Sequence, residues 1–135
     1  TEHTMTVRTY THPVLEFIES KKQMLIELVN ATFNLNVNEM FIGGTCIQQG
    51  QGIPPHNDDW DKDVVARAII TFNPTKVFGT NVFTGPDDKE PVEIGGGPGD
   101  LFVFKVSEDS WHGVGLKDYE HEDRFSYNIN FYSSS

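Results

Sequence analysis

The sequence predicts a mainly β protein, with short antiparallel strands closed into a sandwich or jelly roll and one N-terminal packing helix. Two observations carry this expectation. Eight short apolar or alternating runs follow Val37, separated by glycine, proline and acidic turns, with no helical pattern between them. Ahead of them, one stretch alone has the three- to four-residue periodicity of a helix that covers a sheet.

That helix is expected from about Pro13 to Asn30. Thr11 or His12 stands near its cap, and Pro13 occupies the first turn, where a missing N–H costs nothing. Val14, Ile18, Leu25, Leu28 and Val29 form its apolar stripe. The strands are expected at 39–49, 53–58, 64–73, 77–84, 91–94, 100–106, 110–114 and 124–132. The breaks between them include "GQG" at 50–52, "NPT" at 73–75, "GPDD" at 85–88 and "GGGPGD" at 95–100. The last of these precedes no helix, so it reads as a turn rather than a phosphate loop. The final run, "RFSYNINFY", alternates without error. Phe125, Tyr127, Ile129 and Phe131 share one face; Arg124, Ser126, Asn128 and Asn130 share the other. Either the polar face is wet, or it walls a ligand cavity while the aromatic face packs beneath the helix.

A chain of 135 residues suits one domain, 1–135, with a jelly-roll core over about 38–132. No apolar run approaches the ~20 residues of a membrane span, so no membrane partner is expected. The opening "TEHTMTVRTY" lacks the apolar core of a signal peptide. Cys46 is the single cysteine, which precludes an internal disulfide and makes a reducing cytoplasm the simplest location. A formal charge of −10 repels phosphate backbones, so the expected partner is a small molecule or peptide and not nucleic acid.

Within "GIPPHNDDW", His56 and Asp58 stand two residues apart. On a strand, such positions share a face, so both side chains would converge while Asn57 and Asp59 point away. The motif alone is weak, because five histidines and ten aspartates supply roughly 0.4 such triplets by chance. A second triplet, His121-Glu122-Asp123, has no later histidine to join it and reads as a charged loop. His112, in "SWHGVG", changes the weight of the first. In a jelly roll the second and seventh strands meet at one mouth, which would bring His112 to His56 and Asp58. Two imidazoles and one carboxylate on one face of an ion form the arrangement used for non-haem Fe(II). Arg124, with Ser126 two residues on, would present a guanidinium and a hydroxyl deeper in the same pocket. A buried guanidinium demands an anion, and a carboxylate fits it bidentately.

His56-x-Asp58, the distal His112 and Arg124-x-Ser126 together resemble the signature of the Fe(II)/2-oxoglutarate-dependent dioxygenases. "GQGIPPHND" is similar to the lead-in of the prolyl-hydroxylase-like branch, and "RAIITFNP" to its next strand. The resemblance spans residues 39 to 132 and implies a double-stranded β-helix, the jelly roll shared with cupins. It further implies Fe(II) held by His56, Asp58 and His112, the catalytic set. 2-Oxoglutarate would be bound through Arg124 and Ser126, with O2 as the other cosubstrate. Thr71 stands where this branch often has a tyrosine that helps hold the oxoglutarate, and so is implied as a third cofactor-binding residue beside Arg124 and Ser126. Many prolyl hydroxylases carry lysine where Arg124 stands, which argues against a collagen-type prolyl substrate. Retention of the Asp58 carboxylate argues against halogenation.

The implied activity is hydroxylation of an amino-acid-like small molecule or a peptide side chain, with release of succinate and CO2. Trp60, Arg67, Trp111 and Asn128 are the candidate substrate contacts. Arg67 could anchor a substrate carboxylate or pair with a neighbouring aspartate. The rival readings are a cupin-like hydrolase or isomerase that uses the ion as a Lewis acid, and a non-catalytic jelly-roll binding domain.

Overall fold

The computed structural model describes residues 6–8, 13–48, 51–115 and 123–133. The periodic segment forms two helices rather than one, α1 (Pro13–Ser20) and α2 (Lys22–Phe33). At Lys21 the backbone leaves helical values, and its N–H bonds to the Ile18 carbonyl, one residue short of the α spacing. α2 runs past Asn30 and stops at Asn34, whose φ of 55° lies in the left-handed region that asparagine tolerates. The expected caps, Thr11 and His12, lie outside the described residues. Ile18, Leu25, Ile26 and Val29 are buried, but Leu28 is not, at 50% exposure. The stripe of α2 is centred between Leu25/Ile26 and Val29/Phe33, and Leu28 falls off its edge.

Nine strands are described: β1 (Thr6–Arg8), β2 (Glu39–Ile47), β3 (Ile53–His56), β4 (Val64–Thr71), β5 (Thr80–Val82), β6 (Val92–Ile94), β7 (Leu101–Lys105), β8 (His112–Val114) and β9 (Arg124–Tyr132). All eight expected strands appear, several trimmed at their ends. β1 was not expected, because three residues are too few to show alternation. The order is β1-β2-β9-β4-β7 in one sheet and β3-β8-β5-β6 in the other, and among the described residues every pairing is antiparallel. From β2 onward the chain crosses repeatedly between the sheets, which is the winding of a jelly roll.

The larger sheet works on both faces. One face buries Met40, Ala66, Ala68, Tyr127, Ile129 and Phe131 against Ile18, Leu25, Ile26 and Val29 of the helices. Each fully buried large aliphatic here contributes about 1.5–3 kcal/mol of transfer free energy. Phe125 shares this face but lies at its margin, 36% exposed. On the opposite face, β9 presents Arg124, Ser126 and Asn128, with Thr45 of β2 and Thr71 of β4 both in register with Ser126. Arg124 and Ser126 are almost completely buried, so this polar face is not wet; it lines the space between the sheets. Among the described residues, no helix is long and apolar enough to cross a membrane.

Candidate metal centre and adjoining cavities

β3 and β8 are neighbours, and their register sets His56 opposite His112. A side chain at Gly113 would force them apart, since a Cβ there would lie 2.5 Å from the Ile53 carbonyl oxygen. Each histidine ring is aimed by its own backbone. His56 Nδ1 lies 2.8 Å from the Pro54 carbonyl, and His112 Nδ1 lies 2.7 Å from that of Ser110. A carbonyl only accepts, so each Nδ1 carries the proton and donates it. That fixes both tautomers with Nε2 directed into the site. The Phe104 ring packs 4.6 Å from that of His112, and Trp60 stacks 6.1 Å from His56.

Asp58 joins them by a route that strand alternation does not describe. β3 ends at His56, and Asp58 has a φ of 63°, so the expected shared strand face is replaced by a left-handed turn. Asn57 anchors the turn: its Nδ2 donates to the Glu108 carbonyl, and its own carbonyl accepts from Ser110 Oγ at 2.7 Å. The chain therefore folds back, and the Asp58 carboxylate comes to lie between the two rings. Its Oδ1 is 3.2 Å from His56 Nε2, and its Oδ2 is 3.0 Å from His112 Nε2. Asp59 points away, as expected, and pairs with Lys62 at 3.0 Å.

One ligand atom from each of His56, Asp58 and His112 falls within 4.8 Å of the other two. Burial alone would raise the Asp58 pKa, but hydrogen bonds to His112 and His56 and the charge of Arg67 hold the carboxyl well below its usual range. Burial alone would lower the His56 pKa, yet Asp58 and the Pro54 carbonyl carry it above its ordinary value. Asp58 Oδ1 is buried and, apart from His56 Nε2 at 3.2 Å, meets no donor. Two Nε2 lone pairs and an ionised oxygen aimed at one point are mutually repulsive unless a proton or a cation lies between them. The donor set fits a divalent ion, and two imidazoles with one carboxylate suit Fe(II).

Arg67 does not stand alone on the cavity wall. Its Nη1 lies 2.5 Å from Asp58 Oδ2, and its Nε donates to Asn130 Oδ1 at 2.7 Å. Of the two sequence readings, the ion pair is the one seen.

A cavity runs inward from the histidines, with about 50 Å³ open to the centre of a water molecule, where ~10–15 Å³ suffices for one water. Its polar lining includes Arg67, Thr80, Arg124, Ser126 and Asn128, and its apolar lining Ile53, Ile69 and Val114. Arg124 is anchored at the Phe78 carbonyl through Nε at 2.8 Å, and its Nη2 is 3.4 Å from Thr80 Oγ1. Asn128 donates to Thr45 Oγ1 at 2.6 Å. Thr71 departs from expectation: its hydroxyl donates to the Gly97 carbonyl at 2.9 Å, and it is not among the lining residues. A second cavity, about 100 Å³ on the same scale, lies beyond the Asp58–Arg67 pair and is bordered by Trp60, Asp61 and Tyr132. Trp111 lines neither space; its carbonyl accepts the Phe83 N–H.

Sequence reasoning missed Thr45 and Thr80, both buried in the first cavity. No motif marks them. Only the strand order, with Val82 opposite His112 and Thr45 opposite Ser126, reveals them. His121 and Glu122 of the second triplet lie outside the described residues, while the Asp123 carbonyl accepts from Asn73 Nδ2 at 2.7 Å.

No family model and no curated protein matches the chain. Solved structures do. A prolyl-4-hydroxylase from Pseudomonas putida superposes with a TM-score of 0.72 at 14% identity, over 97% of this chain and 72% of that one. A prolyl hydroxylase from Trichoplax adhaerens, in complex with a hypoxia inducible factor oxygen degradation domain peptide fragment, gives 0.70 at 17%, over 95% and 61%. The viral collagen prolyl hydroxylase of Paramecium Bursaria Chlorella virus-1, as its 2OG complex, gives 0.63 at 12%, over 96% and 78%. The likeness is one of fold: the chain has the jelly roll of the prolyl-hydroxylase-like 2OG-Fe(II) oxygenases.

Proposed function

We propose that this chain is a non-haem Fe(II)- and 2-oxoglutarate-dependent dioxygenase that hydroxylates a small molecule or a peptide side chain. The observation that carries the reading is the convergence of His56, Asp58 and His112 at the mouth of a cavity that buries Arg124. The likeness in fold to prolyl hydroxylases, one of them with a bound peptide, supports it. When bound, iron and 2-oxoglutarate would supply the oxidising chemistry, in which O2, the oxoacid and a substrate C–H bond give succinate, CO2 and the hydroxylated substrate, one oxygen atom going to succinate and one to the product.

The residues of the chain would bind, orient and exclude water. His56, Asp58 and His112 would hold the metal by Nε2, a carboxylate oxygen and Nε2, the Nδ1 protons of the two histidines already committed to backbone carbonyls. Arg124 would receive the distal carboxylate of 2-oxoglutarate, with the buried Ser126 and Thr80 hydroxyls beside it. Ile53, Ile69 and Val114 would keep that cavity poor in water, which strengthens each charged contact inside it. Thr71, with its hydroxyl turned to Gly97, would contribute packing rather than the contact a tyrosine makes. The single cysteine suits a reducing cytoplasm, and the net charge of −10 disfavours nucleic acid as a partner.

The deciding experiment is Fe(II)-dependent release of succinate and CO2 from 2-oxoglutarate, with His56→Ala as the control. Release that requires both iron and His56 supports the oxygenase. No release, together with no 2-oxoglutarate binding to the iron-loaded protein, would leave a metal-binding jelly roll of another kind.

A further inference from the structure

The second cavity touches the metal ligands from the other side. Asp58 and Arg67 line it along with Trp60, Asp61, Asn130 and Tyr132, and Arg67 borders both cavities. A molecule seated there would lie against the carboxylate that completes the metal-ligand set. Arg67 is poorly suited to anchor an acid. Its charge faces Asp58 at 2.5 Å and its Nε is committed to Asn130, so a second carboxylate would compete with a partly buried ion pair.

The other formal charge on the wall is negative. Asp61 lines the cavity, one of its oxygens accepts the Asp63 N–H at 3.1 Å, and among the described residues no cation pairs with it. Asp59, by contrast, is neutralised by Lys62. Beside Asp61 in the chain, Trp60 stands 73% exposed, and Tyr132 lines the same cavity. An aromatic face attracts cations, and a carboxylate beside it adds a fixed counter-charge. The overall charge of −10 favours the approach of cations to the protein over that of anions.

We propose that this cavity is a substrate subsite for a cationic group, an ammonium or guanidinium, held between the Asp61 carboxylate and the rings of Trp60 and Tyr132. That this occupant is a substrate rests on the oxygenase reading; the charge preference does not.

The test uses the full chain with Trp111→Phe, which leaves Trp60 as the sole tryptophan, so emission reports on the rim of this cavity. Three capped amino-acid amides of similar length serve as probes: lysine, norleucine and glutamate. The lysine probe is expected to titrate Trp60 emission at about three- to tenfold lower concentration than the norleucine probe, with the glutamate probe weakest. Asp61→Asn should erase the lysine advantage and leave the norleucine titration unchanged. Equal or better binding of the acidic probe, a preference that survives Asp61→Asn, or no response to any probe would overturn the proposal. Iron-dependent succinate release, measured without probes, reads the oxygenase assignment separately. Its absence alongside an intact charge preference would discard the enzyme and keep the subsite.

Discussion

Arg67 Nη1 lies 2.5 Å from Asp58 Oδ2, and that same oxygen lies 3.0 Å from His112 Nε2. Arg67 is in turn fixed by Asn130 at 2.7 Å, directly across the β4–β9 ladder. The carboxylate is therefore oriented by a chain of contacts that begins in the sheet as well as by the turn that carries it.

Replacing Arg67 should consequently weaken metal binding without removing a ligand. Arg67→Met keeps the bulk of the stem and deletes the fork, and groups that orient metal ligands typically account for about 10- to 100-fold in affinity. Arg67→Lys should recover part of this, since it keeps the charge but not the planar geometry. Co(II) titration followed by visible absorption reads the affinity directly. An unchanged dissociation constant in Arg67→Met would mean the turn alone holds Asp58.

Asp58→Ala and His112→Ala should each abolish iron-supported succinate release, while Asp59→Ala should largely preserve it. Asp58 and Asp59 are neighbours of identical chemistry. Only Asp58 folds back between the two imidazoles, whereas Asp59 faces Lys62 in an exposed pair worth little. A dead Asp59→Ala with an active Asp58→Ala would invert the assignment.

The success and failure of sequence reading at this turn have different physical origins. Convergence of His56 and Asp58 was legible, but the mechanism was not, because alternation presumes a strand and β3 ends at His56. The asparagine-aspartate pair at 57–58 was the available cue, since both residues tolerate positive φ. The polar face of β9 was legible because alternation there runs without a break, and that strand lies at the centre of five. Thr45 and Thr80 were illegible because parity tells which residues share a face, not which strands are neighbours. Nothing at Lys21 signals the break between α1 and α2, as neither glycine nor proline stands there. Arg67 had two readings, and only the fold-back of Asp58 chooses between them.

Metal affinity and metal-free stability should respond to pH in opposite directions. Without metal, the His56 pKa is raised, so its contribution to stability is complete below ~6.5 and is lost as pH rises through the folded value. Asp58 is depressed, so its contribution is present above ~4 and fades only as pH falls well below that. Metal binding must displace the His56 proton, so affinity climbs with pH and levels off above the folded pKa. Thermal unfolding with and without Co(II), from pH 5.5 to 8, should show the metal-induced rise in Tm growing with pH. A constant increment would mean that no proton is displaced.

Gly113→Ala tests the histidine pairing without touching a ligand. Its Cβ would stand 2.5 Å from the Ile53 carbonyl oxygen and 3.1 Å from that of Pro54, backbone atoms of the facing strand that cannot swing aside. The strain should cost about 1–3 kcal/mol of stability and loosen the His56–His112 register. Denaturant unfolding reads the first effect and Co(II) titration the second. Wild-type behaviour in both would show that β3 and β8 can separate without disturbing the site.

Arg124→Ala should separate the two ligands of the proposed active site. The metal-ligating atoms belong to His56, Asp58 and His112, whereas Arg124 lies on β9, tethered to Phe78 and Thr80 away from those three residues. Deleting the guanidinium should therefore leave Co(II) affinity within about twofold of wild type, while 2-oxoglutarate loses its distal partner. Removing one member of a buried, hydrogen-bonded charge pair typically costs about 2–5 kcal/mol, or roughly 30- to several-thousand-fold in affinity. Arg124→Lys should recover part of the loss through charge alone, without the bidentate fork. The measurement is a 2-oxoglutarate titration into anaerobic Fe(II)-loaded protein, followed by the visible charge-transfer band of keto-acid chelation. Ser126→Ala provides the graded comparison, since a neutral hydroxyl contributes only about 0.5–1.5 kcal/mol. If Arg124→Ala bound 2-oxoglutarate as tightly as wild type, the buried guanidinium would serve only to tie β9 to the Phe78–Thr80 segment, and the assignment of 2-oxoglutarate to this cavity would fall.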